Sequence, residues 1–192
     1  MKKLLSIALL SLLPIFCFGQ NVKYDKTDAN GRTIITDTDE IFDDNGEGRL
    51  GFYTFTKDGV TTYMLSLSTD EELHVHPGYK LLLKHRDGAI TELTCVEEGN
   101  SLVQTVVTQN WFTINVNYLK STSSVLYAVT EDQLRIIENN PVIKIRIEQE
   151  LEYTDKDISF FKYSVFSKAV EYGHNKIKEA LAYKRTGLYD NF

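Results

Sequence analysis

The stretch Tyr79–Val96, YKLLLKHRDGAITELTCV, decides how this chain folds. Apolar and polar residues alternate on both sides of Asp87-Gly88, which predicts two antiparallel strands, Tyr79–His85 and Ala89–Val96. Asp-Gly accommodates the positive φ angles of a type I′ turn, so we expect that turn between the strands. Asp58-Gly59 predicts a second hairpin of the same kind. A chain built from such hairpins forms an antiparallel sheet with one buried and one solvated face.

Two later segments change from a period of two to a helical period. Thr130-Glu131-Asp132-Gln133 is a capping box, which predicts a short helix near 131–138. Asp157 offers an N-cap for a longer amphipathic helix toward the C-terminus. The order of elements therefore predicts an α+β fold that is predominantly antiparallel β, arranged as a sandwich or a partly open barrel.

The N-terminus has the pattern of a secretory signal peptide, residues 1–19. A basic start is followed by the apolar run Leu4–Leu13, which is too short to span a bilayer, and cleavage is expected before Gln20. The protein is therefore predicted to be exported to the periplasm or the extracellular space. Phe16, directly before Cys17, disfavours lipid anchoring at that cysteine, and no later stretch predicts a transmembrane segment.

Composition divides the mature chain into a polar N-terminal segment, 20–48, which we expect to be mobile, and a single β-rich domain with a C-terminal helix, 49–192. Lys2 and Lys3 leave with the signal peptide, which reduces the 21 basic residues to 19 against 27 acidic ones, a net charge of −8. An acidic surface repels phosphate backbones, so the sequence argues against nucleic acid as a partner.

Two motifs are candidates for metal binding. His74 and His76 would share one face of an extended segment with Glu72, a spacing that suits zinc; the alternative is a pair of exposed loop residues, since a turn signal follows at once. The acidic run Asp43–Gly48 suggests calcium, but position twelve of an EF-hand loop would be Thr54, where a glutamate is needed. An acidic surface turn is the alternative there. The sequence thus requires no cofactor and leaves zinc and calcium as candidates.

The 11 tyrosines, 10 phenylalanines and single tryptophan suggest a binding surface. Trp111 and Phe112 stand at the start of a predicted strand, and Tyr53 lies in a strand with aromatic residues on both faces. Either the C-terminal helix covers the second face, or Trp111, Phe112 and Tyr53 contact a protein, a glycan or a small ligand.

Motifs of catalysis are missing from the sequence. It contains no Gly-x-Ser-x-Gly, no His-Glu-x-x-His, no phosphate-binding glycine loop and no paired cysteine motif. This disfavours an enzyme and favours an exported, non-catalytic binding or accessory domain. Two alternatives stay open: a periplasmic metal-binding protein using His74 and His76, and a hydrolase whose site is not visible in sequence.

Three motifs carry a resemblance to other proteins: NGRTIIT at Asn30–Thr36, the hairpin Leu81–Gly88, and YAVTEDQL at Tyr127–Leu134, followed by IKIRI at Ile143–Ile147. With these motifs the chain resembles uncharacterised small secreted proteins of Bacteroidetes-type bacteria. The resemblance covers most of the mature domain and implies a bacterial, exported, single-domain protein. Its motifs are structural, so it implies no activity and no site residue.

Overall fold

The computed structural model describes residues 21–41, 48–71, 73–110, 113–158 and 163–183; at 39, 98–110 and 113–122 it describes the backbone. These residues form ten strands and two helices. The strands are β1 (Val22–Asp28), β2 (Gly31–Thr36), β3 (Asp39–Glu40), β4 (Gly48–Lys57), β5 (Val60–Thr69), β6 (Lys80–His85), β7 (Ile90–Asn110), β8 (Thr113–Val129), β9 (Val142–Glu148) and β10 (Tyr153–Asp157). The helices are α1 (Glu131–Asn139) and α2 (Tyr163–Ala182).

All ten strands belong to one antiparallel sheet. Its order is β1-β2-β4-β5-β8-β7-β6-β9-β10, and β3 pairs with β4. Strands β1 and β10 form its two ends, and no pairing joins them within the described residues. The predicted α+β, predominantly antiparallel β fold is confirmed, as a single open sheet rather than two packed sheets.

Helix α2 lies against the concave face of this sheet. It contacts β1, β2 and β4 near one end of the sheet and β9 near the other, although four strands separate β4 from β9. One helix can touch both groups only because the sheet curls around it. The core fills the space between them, and its largest fully buried side chains include Phe52, Leu65, Tyr127, Leu134 and Phe166.

The predicted start of the C-terminal helix is wrong. Asp157 is the last residue of β10 and pairs with Lys144 of β9, so it does not act as an N-cap. Strand pairing prevails there because Asp155, in the middle of β10, accepts hydrogen bonds from Arg146 across the strands at 2.6 and 2.8 Å. The described helix begins at Tyr163.

The two predicted hairpins are present, but their turns differ. Asp58 and Gly59 both have positive φ, 51° and 79°, as a type I′ turn requires. The prediction of type I′ at Asp87-Gly88 is wrong, because only Gly88 has positive φ there. Its N–H donates to the carbonyl of His85 at 3.0 Å, so the turn includes one more residue and Gly88 provides the left-handed conformation.

The capping box of α1 is confirmed. The N–H of Gln133 donates to Oγ1 of Thr130 at 3.2 Å, and the N–H of Thr130 donates to Oε1 of Gln133 at 2.9 Å. Nε2 of Gln133 also donates to the carbonyl of Glu92 at 2.8 Å. The start of α1 is thereby joined to β7.

The polar segment 20–48 contributes β1, β2 and β3 to the sheet, although the sequence sets it apart from the domain. Ile34 and Ile41 within it are fully buried. Arg32 donates to Asp25 at 2.8 and 2.9 Å and to the carbonyl of Ala180 at 2.8 Å, which ties β1 and β2 to α2. Residues 1–19 lie outside the described residues, and neither described helix has the length and hydrophobicity needed to cross a membrane.

Candidate functional site

A cleft of about 700 Å³ opens on the convex face of the sheet, where β8 ends. The last pairs of β8 are Tyr63↔Val129 with β5 and Thr94↔Ala128 with β7. The chain then turns away into α1 and leaves β5 and β7 separated. The cleft is lined by Gly59, Thr61, Thr62, Tyr63, Glu92, Thr94, Ala128, Val129, Thr130, Glu131 and Gln133.

The walls of the cleft are polar, and cations lie beside both of its carboxylates. Four threonines and Gln133 supply hydrogen-bonding groups that carry no charge. Nζ of Lys80 lies 3.0 Å from Oε1 of Glu92 and donates to Oγ1 of Thr94 at 3.0 Å. Arg135 lies 3.8 Å from Glu131 and 3.5 Å from Asp132. Glu92 therefore has its own cation, whereas Glu131 shares Arg135 with Asp132.

Tyr63 separates the cleft from the core. Its side chain is nearly buried, and its ring meets the imidazole of His174 edge-on at 5.4 Å. Burial, and after it the charge of Glu131, raises the pKa of the Tyr63 phenol. The phenol thus stays protonated at neutral pH and can donate a hydrogen bond.

An apolar band adjoins the cleft on the same face. Pairing places Tyr53 opposite both Ile35 and Met64, and Met64 opposite Ala128, which lines the cleft. Residues paired across strands share a face of the sheet, and two strand spacings put Tyr53 about 10 Å from Ala128. Tyr53 is half-buried. The predicted surface residue Tyr53 therefore lies beside the cleft, while Trp111 and Phe112 fall outside the described residues.

The predicted zinc ligands His74 and His76 are exposed, and alternate with the buried Leu73 and Val75. Nε2 of His76 lies 3.9 Å from a carboxylate oxygen of Glu150. The described part of the chain contains no group of three or more histidine, cysteine, aspartate or glutamate residues placed to hold a metal ion. Glu72 and residues 42–47 of the acidic run lie outside the described residues, so zinc and calcium stay predictions.

Two histidines, His85 and His174, are buried, which their sequence did not predict. His85 is satisfied at both ring nitrogens, by Thr91 Oγ1 at 2.7 Å and by the carbonyl of Asn140 at 2.8 Å. His174 lies four residues after Val170 and three before Ile177, both buried on α2. That helical spacing is the signal that places His174 on the apolar stripe.

Comparisons with known proteins assign no family to the chain. A scan of protein-family models finds no match, and searches of curated proteins and of solved structures find no similar chain either. The fold is an open antiparallel sheet curled around a C-terminal helix, and the cleft at the end of β8 is its candidate functional site.

Proposed function

We propose that this protein is a non-catalytic binding domain whose cleft at the end of β8 binds a neutral, hydroxyl-rich ligand of the saccharide class. The observation that carries the proposal is the threonine-rich cleft of about 700 Å³ beside the band that contains Tyr53. Its volume is in the range of small-molecule sites. The signal-peptide pattern of residues 1–19 supports binding outside the cytoplasm.

The chemistry of the walls favours a polyol over an ion. Sugar hydroxyls both donate and accept hydrogen bonds, and they match the hydroxyls of Thr62 and Thr94 and the carboxylate oxygens of Glu131. An anionic ligand would meet the carboxylates of Glu92 and Glu131, and the nearby cations Lys80 and Arg135 already contact acidic side chains. The flat ring of Tyr53 offers an apolar surface for the C–H face of a second sugar unit.

The lining residues favour binding without turnover. A threonine hydroxyl becomes a nucleophile only beside a base, and the residues that line the described cleft include no histidine and no cysteine. The phenol of Tyr63 has a raised pKa, which makes it a poor base at neutral pH. Glu92 is held by Lys80 at 3.0 Å.

The test is calorimetric titration of the protein, expressed as the full chain and purified after export, with a panel of neutral oligosaccharides. We expect at least one to bind, and both Thr94→Val and Glu131→Gln to weaken it about tenfold, the loss of roughly one hydrogen bond. Thr27→Val, an exposed threonine of β1, is the matched control and should bind as the wild type does. Equal affinity of Thr94→Val and wild type, or no binding by any member, would overturn the proposal. Release of shortened sugars would show a hydrolase instead.

A further inference from the structure

The hairpin formed by β7 and β8 extends beyond the rest of the sheet. The pairing of β5 with β8 ends at Thr69↔Ser123, and the chain before β6 accompanies β7 only as far as Cys95. β7 and β8 remain paired with each other out to Asn110↔Thr113. Residues 102–110 and 113–122, here called the arm, thus extend about 30 Å past the neighbouring strands, at the usual rise per residue. Within the described residues no third strand pairs with the arm.

Most of the arm lacks the features that protect strand edges in monomeric proteins. Lys120 is its one charged residue: the sequence from Gly99 to Leu119 contains no Lys, Arg, Asp, Glu, His or Pro, whereas a quarter of the whole chain is charged. The register from Asn100↔Ser124 to Thr108↔Val116 runs without a bulge, and it shifts only between Thr108 and Asn110, near the end of the arm. Natural edges are normally blocked by charges, prolines or bulges, because a regular unprotected edge pairs with another strand.

A lone two-stranded hairpin of this length is only marginally stable in water, so we expect a further strand to pair with the arm. A second copy of this chain fits best. An antiparallel edge is complementary to itself about a two-fold axis. The arm contains no acidic residue, so pairing through two arms keeps the acidic bodies, with a net charge of −8 on each mature chain, apart. Edge-to-edge pairing joins one strand of each arm, about ten residues, into a four-stranded sheet, and three or more strands are what gives a sheet independent stability.

We propose that the arm is a dimerisation element through which two copies of the chain pair edge to edge. The test is light scattering coupled to size exclusion over a concentration series, with circular dichroism to verify folding. We expect the wild type to have twice the mass of one chain. Val103→Lys/Val116→Lys, with one change on each strand of the arm, should reduce it to a monomer. Val60→Lys/Ile90→Lys, which changes two exposed residues of the body, is the matched control and should stay dimeric.

A charge-rescue experiment separates loss of pairing from loss of folding. Val103→Glu/Val116→Glu should also be monomeric, while a mixture of the lysine and glutamate variants should form dimers again. A wild type that stays monomeric at 200 µM overturns the proposal, as does a dimer that survives both arm variants. Binding of a monomer to phosphatidylcholine vesicles that is lost in the arm variants would assign the arm to a membrane and overturn it as well.

Discussion

Nδ1 of the buried His174 on α2 lies 2.6 Å from Oε1 of Glu138 on α1, whose side chain is partly buried. The imidazole is 2% exposed and packs parallel to Phe52 at 6.5 Å and against the edge of Tyr63. Its Nε2 has no hydrogen-bond partner among the described residues. This contact joins the two helices directly behind the wall of the cleft, so it helps to hold α1 in the orientation that shapes the site.

Removing this imidazole should destabilise the fold strongly. His174→Ala leaves both a cavity and a largely buried carboxylate without its partner, so we expect a loss of about 2–4 kcal/mol in the free energy of unfolding. Urea denaturation followed by circular dichroism measures it. Asn175→Ala, an exposed neighbour on the same helix, should change stability by less than about 0.5 kcal/mol. Similar losses in the two variants would contradict a structural role for the pair.

Tyr127→Phe should leave the protein unchanged or more stable. The hydroxyl of Tyr127 is buried without a hydrogen-bond partner among the described residues, so its removal relieves a desolvation cost of up to about 1 kcal/mol. Burial, and after it the charge of Cys95, raises the pKa of this phenol. A raised pKa in the folded state means that the stability is full below pH 10, the ordinary pKa of a tyrosine, and falls as the pH rises above it.

The measurement is urea denaturation at pH 7 and at pH 10.5, where the wild type should lose more stability than Tyr127→Phe. Tyr24→Phe, on the exposed strand β1, should follow the wild type at both values. A Tyr127→Phe variant less stable than the wild type by more than about 1 kcal/mol at pH 7 would mean that the hydroxyl makes a hydrogen bond in solution.

The end of the sheet that β9 and β10 form should be sensitive to acid because of Asp155. Hydrogen bonds from Arg146 and then Lys144 hold the pKa of its carboxyl well below the ordinary value of 3.8. Because the folded-state pKa is lowered, the stabilisation is complete above pH 3.8 and is lost as the pH falls below it. Asp155→Asn should thus be less stable than the wild type at pH 6. It should also lose less stability than the wild type does between pH 4.5 and 2.5. Thermal melts across that pH range measure this difference. Glu152→Gln, which changes an exposed residue before β10, should show the same dependence of melting temperature on pH as the wild type.

Gln133 should stabilise the start of α1 through two separate contacts. Gln133→Ala removes its part of the capping box and the hydrogen bond to the Glu92 carbonyl, so we expect a loss of about 1–2 kcal/mol. Gln133→Glu can still cap the helix but cannot donate to that carbonyl, so its loss should be smaller than that of Gln133→Ala. Urea denaturation of the wild type, Gln133→Ala and Gln133→Glu measures the order of their stabilities. Equal stability of wild type and Gln133→Ala would show that α1 is held by packing alone.

Local patterns predicted the elements that rest on local physics. The hairpin at Asp58-Gly59 follows from alternation and from a turn that tolerates positive φ, and the capping box at Thr130 is confirmed because both of its hydrogen bonds join residues three apart. The amphipathic C-terminal helix was also predicted, although its start was not. Strands β1 and β10 were not predicted, because every residue along them is exposed or half-buried and no alternation of apolar residues marks them.

The sequence by itself determined that this chain forms an antiparallel sheet with a short capped helix and a C-terminal helix, since the period of its apolar residues decides which face of each element is buried. Only the tertiary structure decided that β5 pairs with β8, that β6 pairs with β9, and that the sheet curls around α2. Those choices depend on packing between residues that are about sixty positions apart, such as Leu67 and Val125. The cleft is a product of the same choices, because its walls come from the ends of strands that meet only after the sheet has formed.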